Sequence, residues 1–370
     1  MSDGRVRRGY LDLLRGLAVL VMIEAHVLDA WTRFPDRETR EYAKAIIVGG
    51  FGAPLFLFLA GVAVVLSAGS KFRRSGDVEA ASGAVVRRGL EIFGLAFLFR
   101  FQSWALGWSS PRWLLRVDIL NIMGPSIMAA AAMWGAVRTT AGRFAAFTAA
   151  TLAVTLTTPI VRNISVLSAL PDPIEAYLRP VGELSNFVFF PWAAFVFAGG
   201  IVGLVLDSVR TPQQERLANL GFAVAGVGIA FAAYQLSFLP SPYPRSQFWT
   251  TSPTFFFLRL GIMVAAIAVA YLWQLRPGGT TKWSPMQQLG RTSLFIYWIH
   301  VEMVYGLISL PLHKRLSWTQ SWIALAIFCV FMLGCSMLKD RWVKSRDRRH
   351  EVGDGRQESG DGSEKLEVRS

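Results

Sequence analysis

The sequence predicts an all-α, polytopic membrane protein with about ten transmembrane helices. Of its 370 residues, 53% are hydrophobic and only 17% are charged. The mean hydropathy is positive, at +0.39. Apolar stretches of roughly 20 residues, the length that crosses a bilayer as a helix, recur between turn signals. This profile excludes a soluble globular domain.

Ten uninterrupted apolar stretches follow one another along the chain and mark the predicted spans. They cover about 10–30, 46–68, 85–103, 117–137, 144–161, 187–206, 218–238, 254–274, 292–311 and 319–338. We expect residues 1–345 to form one transmembrane domain. Residues 346–370 lack an apolar face, which predicts a disordered cytoplasmic tail. The first stretch is too long and too charged for a signal peptide, so we expect it to be retained.

The distribution of basic residues predicts the orientation in the membrane. An even number of spans puts both termini on one side. With the termini inside, the inner segments and the proximal tail hold 21 Lys and Arg residues, against 11 in the outer loops. The positive-inside rule favours this arrangement, so we expect a multi-pass protein of the bacterial inner membrane with both termini cytoplasmic. Topology therefore accounts for the net charge of +13, and we expect no nucleic-acid partner.

The first span carries an unusual set of polar groups. It reads YLDLLRGLAVLVMIEAHVLDAW, and Arg15 and His26 are eleven positions apart in it, so they lie within about 20° on one helix face. Asp29 lies within about 60° of that face, whereas Glu24 points nearly the opposite way. Ionisable groups inside a membrane are costly and mark functional sites by default. The alternative is structural pairing within the helix bundle.

Polar residues at the ends of two further spans are candidate ligands. Arg87 and Arg88 begin span three, where they predict either a phosphate clamp or topological anchors, with Arg87 pairing with Glu91 one turn later. Asp118 and Asn121 begin span four, one turn apart. Either of them is a candidate to orient the ring of His26, and a helix-capping role for Asp118 is the alternative.

Two more residues stand inside predicted spans. His300 lies mid-membrane in GRTSLFIYWIHVEMVYG, where it is either part of a relay or a packed, hydrogen-bonded histidine. Arg259 stands about two turns inside span eight, and we expect it to have an acidic partner or a polar ligand. The chain has no His, Cys, Asp or Glu cluster with metal-ligand spacing, so we expect no metal.

Several motifs resemble those of the transmembrane acyltransferase superfamily. The first helix, LDLLRGLAVLVMIEAH, is similar to that of the acyltransferase-3 family, which has an Arg, ten intervening residues and a His, here Arg15 and His26. A wider set resembles bacterial relatives of the heparan-alpha-glucosaminide N-acetyltransferase catalytic domain. These motifs are FGAPLFLFLAGVAVVLS, RRGLEIFGLAFLF, RVDILNIMG, FFPWAAFVFAGG and LGRTSLFIYWIH.

The resemblance implies transfer of an acyl group from acetyl-CoA, or another acyl-CoA, on the cytoplasmic side to a sugar or glycan acceptor on the far side. It implies that His26 is catalytic and that Arg15 lies toward the acyl donor. If Arg87 and Arg88 form a phosphate clamp, they are candidate ligands of that donor. A neutral imidazole, with a reference pKa of about 6.5, suits a general base. Besides membrane lipids, acyl-CoA and the acceptor, a homo-oligomer is left open as a partner.

A different function class is the alternative to an enzyme. In a transporter or flippase, Arg15, Glu24, His26, Arg259 and His300 would line a substrate or proton path. That class predicts inverted internal repeats, and none is detectable in the sequence. We therefore favour the acyltransferase, with His26, Arg15 and His300 as its catalytic candidates.

Overall fold

The computed structural model describes residues 8–107, 110–276 and 283–364, with side chains through Ser345. The described part of the chain is helical and contains no strand. Its α-helices are α1 Gly9–Trp31, α2 Phe34–Arg37, α3 Arg40–Gly49, α4 Gly52–Ser75, α5 Val78–Gly107, α6 Ile119–Ala136, α7 Thr140–Val161, α8 Asp172–Leu178, α9 Phe189–Ser208, α10 Pro212–Leu236, α11 Pro253–Gln274, α12 Pro285–Arg291, α13 Ser293–Tyr305 and α14 Trp318–Glu364. The predicted all-α class is confirmed.

Seven stretches among the described residues are long and apolar enough to cross a membrane. They are α3 together with α4, then α6, α7, α9, α10 and α11, and α14 as far as Ser345. The protein is therefore a multi-pass membrane protein. Three more predicted spans correspond to α1, α5 and α13, which fall outside this set, and the total of ten stays a prediction.

The predicted span of about 292–311 corresponds to a shorter α-helix, because the chain breaks just before it and again after Tyr305. The helix α12 ends at Arg291, and α13 begins only after Thr292, whose backbone is not helical. At the far end α13 stops at Tyr305, and a 3₁₀ helix covers Leu307–Leu312. Gly306 is extended and caps the last turn, and Pro311 has no N–H with which to continue an α-helix.

The helix α1 lies at the centre of the bundle, with neighbours on every side. It contacts α3, α4, α11, α12, α13 and α14. Its contact with α12 is backbone against backbone: a Cβ at Gly16 would meet the carbonyl of Met286, and a Cβ at Gly290 would meet that of Asp12. Only glycine permits this approach. It brings the Arg15 end of α1 next to the break that precedes α13.

The last helix is longer than the sequence predicts. The backbone of α14 stays helical through Glu364, past residue 346, where we expect a disordered tail to begin. Residues 365–370 of that predicted tail lie outside the described residues. The domain boundary at 345 stays a prediction.

Candidate active site

Two histidines from distant parts of the chain meet between α1 and α13. Nδ1 of His26 lies 3.0 Å from Nε2 of His300. The rings are nearly parallel, with an interplanar angle of 15° and centroids 5.1 Å apart. His300 is fully buried, whereas His26 is only half-buried. The accessible member of the pair is therefore His26, the residue that the sequence predicts to be catalytic.

The hydrogen-bond partners of the two rings determine which nitrogens carry a proton. Nδ1 of His300 lies 2.7 Å from the carbonyl oxygen of Ile296, which only accepts, so Nδ1 carries the hydrogen. In a neutral imidazole the other nitrogen is then an acceptor, and His26 donates to it from its own Nδ1. Nε2 of His26 is left unprotonated, and no described residue bonds to it. It is a free base at the accessible edge of the pair.

The Trp31 end of α1 is tied to α13 and to the loop before α14. Nε1 of Trp31 donates to the carbonyl oxygen of Val304 over 3.1 Å. Beyond the helix, the N–H of Arg33 donates to Leu316 over 2.9 Å, and a parallel bridge joins Thr32 to Leu316. The Trp31 bond ties α1 directly to α13, and the backbone bonds fix the end of α1 against the loop before α14.

Asp29 lies in a charged cluster next to His26. Its carboxylate accepts from Arg37 over 2.5 Å and from the hydroxyl of Tyr305 over 3.1 Å. The ammonium of Lys314 also bonds the Asp29 backbone and lies 3.7 Å from its carboxylate. Burial lowers the pKa of Lys314 from its ordinary value, and the charge of Asp29 opposes that shift. The ring of Tyr305 lies 5.5 Å from that of His26, so the cluster borders the pair.

A polar pocket of about 450 Å³ lies at the Arg15 end of α1. Four cationic side chains line it, from four different helices: Arg15, Arg88, Arg291 and Lys339. The first residues of α13, Ser293, Leu294 and Phe295, also line it, and no side chain caps the start of that helix. Cations and free N–H groups at a helix start both favour an anion. The pocket has the chemistry of a phosphate site.

Buried polar bonds between α12 and α14 hold one wall of this pocket. Nε2 of Gln288 donates to Asp340 over 2.9 Å, and the hydroxyls of Thr292 and Ser336 are 2.6 Å apart. Another lining residue, Trp298, donates from Nε1 to Gln102 of α5 over 3.0 Å. These bonds position the start of α13.

The structure separates the two neighbouring arginines of α5. Arg88 lines the pocket and pairs with Glu91, with 2.8 Å between nitrogen and oxygen. Arg87 is exposed and does not line it. The expected pairing of Arg87 with Glu91 is therefore wrong. Glu91 pairs instead with Arg88, three residues before it. Arg15 pairs with Asp12 over 3.2 Å and keeps 28% of its side chain exposed.

The expectation that Asp118 or Asn121 orients His26 is not what the structure shows, since His300 takes that position. Asp118 accepts from Arg100 over 2.6 Å and caps α6 in a reciprocal pair with Asn121. The amide nitrogen of Asn121 donates to the hydroxyl of Tyr177. The structure shows the capping alternative. Both side chains bond backbone groups at the start of their own helix, and these local bonds form in preference to a bond with a more distant helix.

Arg259 has no hydrogen bond to either histidine of the pair, and none of the described carboxylates pairs with it. Its guanidinium stands 3.9 Å over the ring of Phe255, and its Nε is buried without a hydrogen bond. The expected acidic partner is therefore not found among the described residues, which leaves the second expectation, a polar ligand.

Sequence reasoning missed Arg291 and Lys339 as members of a site, since both look like cytoplasmic anchors at the ends of spans. The only feature of the sequence that could have pointed to a site was that both residues lie near polar residues at the ends of apolar stretches. Among the described residues, no cluster of three or more His, Cys, Asp or Glu side chains has the proximity to hold a metal ion.

Comparison with protein families gives one match over most of the chain. The acyltransferase-3 family, described as an acyltransferase domain, matches residues 8–341. A search of curated proteins gives no match. The matched range includes both histidines and all four cationic residues of the pocket.

Proposed function

We propose, from the premise that the chain belongs to the acyltransferase-3 family, that it transfers an acyl group, acetyl in preference to longer chains, from a donor on one face of the membrane to an acceptor on the other. The donor is acyl-CoA on the cytoplasmic side, and the acceptor is a sugar or glycan hydroxyl or amine at the outer side. The finer resemblance to heparan-alpha-glucosaminide N-acetyltransferase relatives stays a prediction from motifs.

The observation that carries this proposal is the bond between His26 and His300. It leaves Nε2 of His26 as an unprotonated base on the accessible side of a buried pair. A general base must stand free to accept the acceptor's proton, and this nitrogen does. His300 touches Ile296 and His26 and acts through them, so we assign it a positioning role in place of a direct catalytic one.

The pocket at the other end of α1 fits the phosphates of CoA. Arg15, Arg88, Arg291 and Lys339 supply positive charge for them, and Arg holds phosphate oxygens in a bidentate way. Arg15 and His26 are about 16 Å apart along α1, so an extended donor has to reach from one to the other. When bound, acyl-CoA supplies the acyl group as an activated thioester.

In the proposed reaction, His26 takes up a proton and later releases it. Its Nε2 accepts the proton of the acceptor as the acceptor oxygen or nitrogen bonds to the acyl carbon. It then returns the proton to the sulfur that leaves that carbon. His300 keeps Nδ1 of His26 in its donor role throughout, so that Nε2 stays the basic nitrogen.

The test measures release of free CoA thiol from acetyl-CoA by the purified protein in nanodiscs, with a soluble monosaccharide added as the acyl acceptor. His26→Ala is expected to lower kcat by about 10²-fold or more, since general-base catalysis is worth that much. His313→Ala is the matched control, because His313 is a loop histidine bonded to Ser309 and the Val304 carbonyl. A folded His26→Ala protein with near-normal turnover would contradict the assignment. An inactive wild type that transports a solute would favour a transporter.

A further inference from the structure

Two charged side chains on the opposite side of α1 take no part in this mechanism. Glu24 is 9% exposed, and its Oε2 is buried without a hydrogen bond to any described residue. Arg259 of α11 is equally without a hydrogen-bonded partner in the described chain, and its Nε is buried. Unpaired charges inside a membrane are costly, so both groups call for a ligand.

Both groups lie against the same point, the break between α3 and α4. Oε2 of Glu24 is 3.1 Å from where a Cβ of Gly49 would stand, and Nη2 of Arg259 is 3.3 Å from that of Gly50. Neighbouring Cα atoms are about 3.8 Å apart, so the two charges lie within about 13 Å of one another. They form no ion pair, so the gap between them exceeds a direct contact.

An apolar groove of about 580 Å³ begins one turn from Arg259. Its walls come from α1, α10 and α11. On α11 the lining residues include Ile262, Ala266, Val269 and Trp273, which recur at helical spacing on one stripe. Arg259 occupies the next position of that stripe, three residues before Ile262. The groove therefore carries a single positive charge at one end.

The end of the groove that carries Arg259 lies beside the last turn of α3, where side chains are exposed to lipid. The space beside Gly50 is bounded by the carbonyl groups of Ile46 and Ile47 as well as by Arg259. The side chains of Ile47 and Val48 are 48% and 55% exposed. In a membrane, apolar side chains with this exposure contact lipid, so a lipid headgroup has a lateral approach to Arg259.

We propose that Glu24 and Arg259 bind the headgroup of a zwitterionic aminophospholipid, with one of its acyl chains in the groove. Arg259 binds the phosphate, Glu24 accepts hydrogen bonds from the ammonium, and the two charges of the headgroup match the two unpaired charges of the protein. Two hydrogen bonds of about 2.8 Å and a two-carbon linker bridge a gap of this size.

The pair of charges discriminates among phospholipids. An anionic lipid without an amine satisfies Arg259 and leaves Glu24 unpaired. A choline headgroup satisfies the charge of Glu24 but has no N–H to donate to its carboxylate. Only a primary ammonium answers both requirements, so the site is expected to select phosphatidylethanolamine over phosphatidylglycerol and phosphatidylcholine.

The test uses the purified full-length protein in detergent with an equimolar mixture of dioleoyl phosphatidylethanolamine, phosphatidylglycerol and phosphatidylcholine. Native mass spectrometry counts the lipid that remains bound. We expect the wild type to retain phosphatidylethanolamine preferentially. Arg259→Gln should reduce retention about tenfold, as expected for loss of one charge-assisted bond. Glu24→Gln should abolish the preference over phosphatidylglycerol.

Arg143→Gln is the matched control. Arg143 also stacks on an aromatic ring, 3.8 Å over Trp134, but its Nε donates to two backbone carbonyls. This variant should retain lipid as the wild type does. If Arg259→Gln does not fold, Glu24→Gln alone tests the headgroup preference. Equal retention of the three lipids by the wild type, or unchanged selectivity in Glu24→Gln, would overturn the proposal. Neither result bears on His26, because this readout needs no acyl transfer.

Discussion

The two ends of α1 hold their polar groups in different ways. At the His26 end, a hydrogen-bonded pair of imidazoles is packed so that His300 is fully buried. At the Arg15 end, cationic side chains from four helices line a pocket, and 28% of the Arg15 side chain and 56% of that of Arg88 remain exposed. The function of the His26 end depends on the geometry of single hydrogen bonds, whereas anion binding at the Arg15 end depends on the summed charge of several side chains.

This difference predicts which kinetic constant each end controls. The histidine pair has one arrangement that leaves Nε2 of His26 unprotonated, so the loss of either ring should lower kcat. Exposed cations are screened by salt and share a ligand among several groups, so the loss of one should mainly raise KM. The following predictions test this division between the two ends, from the largest effect to the smallest.

After the loss of His26 itself, the next largest effect is expected at His300, which holds the His26 ring in place. His300→Leu removes the acceptor for Nδ1 of His26, so the tautomer is no longer held, and kcat should fall roughly 10- to 100-fold, as for other partners that orient a functional histidine. KM for acetyl-CoA should not change. His300→Gln offers an amide oxygen as acceptor and should restore part of the loss. Equal defects in His300→Leu and His300→Gln would indicate a structural role only.

A smaller effect is expected at the cationic pocket. Arg88→Ala should raise KM for acetyl-CoA about three- to tenfold, in line with the modest worth of one partly exposed charge. The effect should shrink at high salt. Arg87→Ala is the matched control. Arg87 is the adjacent arginine on the same helix and is exposed like Arg88, but it does not line the pocket. Equal changes in both variants would assign the effect to anchoring charge and not to the pocket.

The smallest perturbation tests which end faces the cytoplasm. Single cysteines at residues 75–80 and 355–365 should react with impermeant reagents only from the inside, and those at 170–175 only from the outside. Activity should be unchanged. Labelling of 75–80 from the periplasmic side would invert the two ends and contradict a cytoplasmic donor at Arg15.

The sequence by itself determined the features that lie within single helices. The polar stripe of α1, with Arg15 and His26 on one face and Glu24 opposite, follows from 3.6 residues per turn and needs no other part of the chain. The all-α class follows equally from apolar stretches of bilayer length. The capping of α6 by Asp118 was readable as one of two alternatives, because caps are local bonds.

The tertiary structure alone decided the contacts between helices. His26 and His300 are 274 positions apart, and no periodicity within either helix relates them. Their contact depends on the close approach of α1 to α12 at Gly16 and Gly290, which places α13 beside α1. The choice of Arg88 over Arg87 for the pocket was likewise undetermined by sequence, since neighbouring residues point about 100° apart and only the packing of α5 selects which of them lines the pocket.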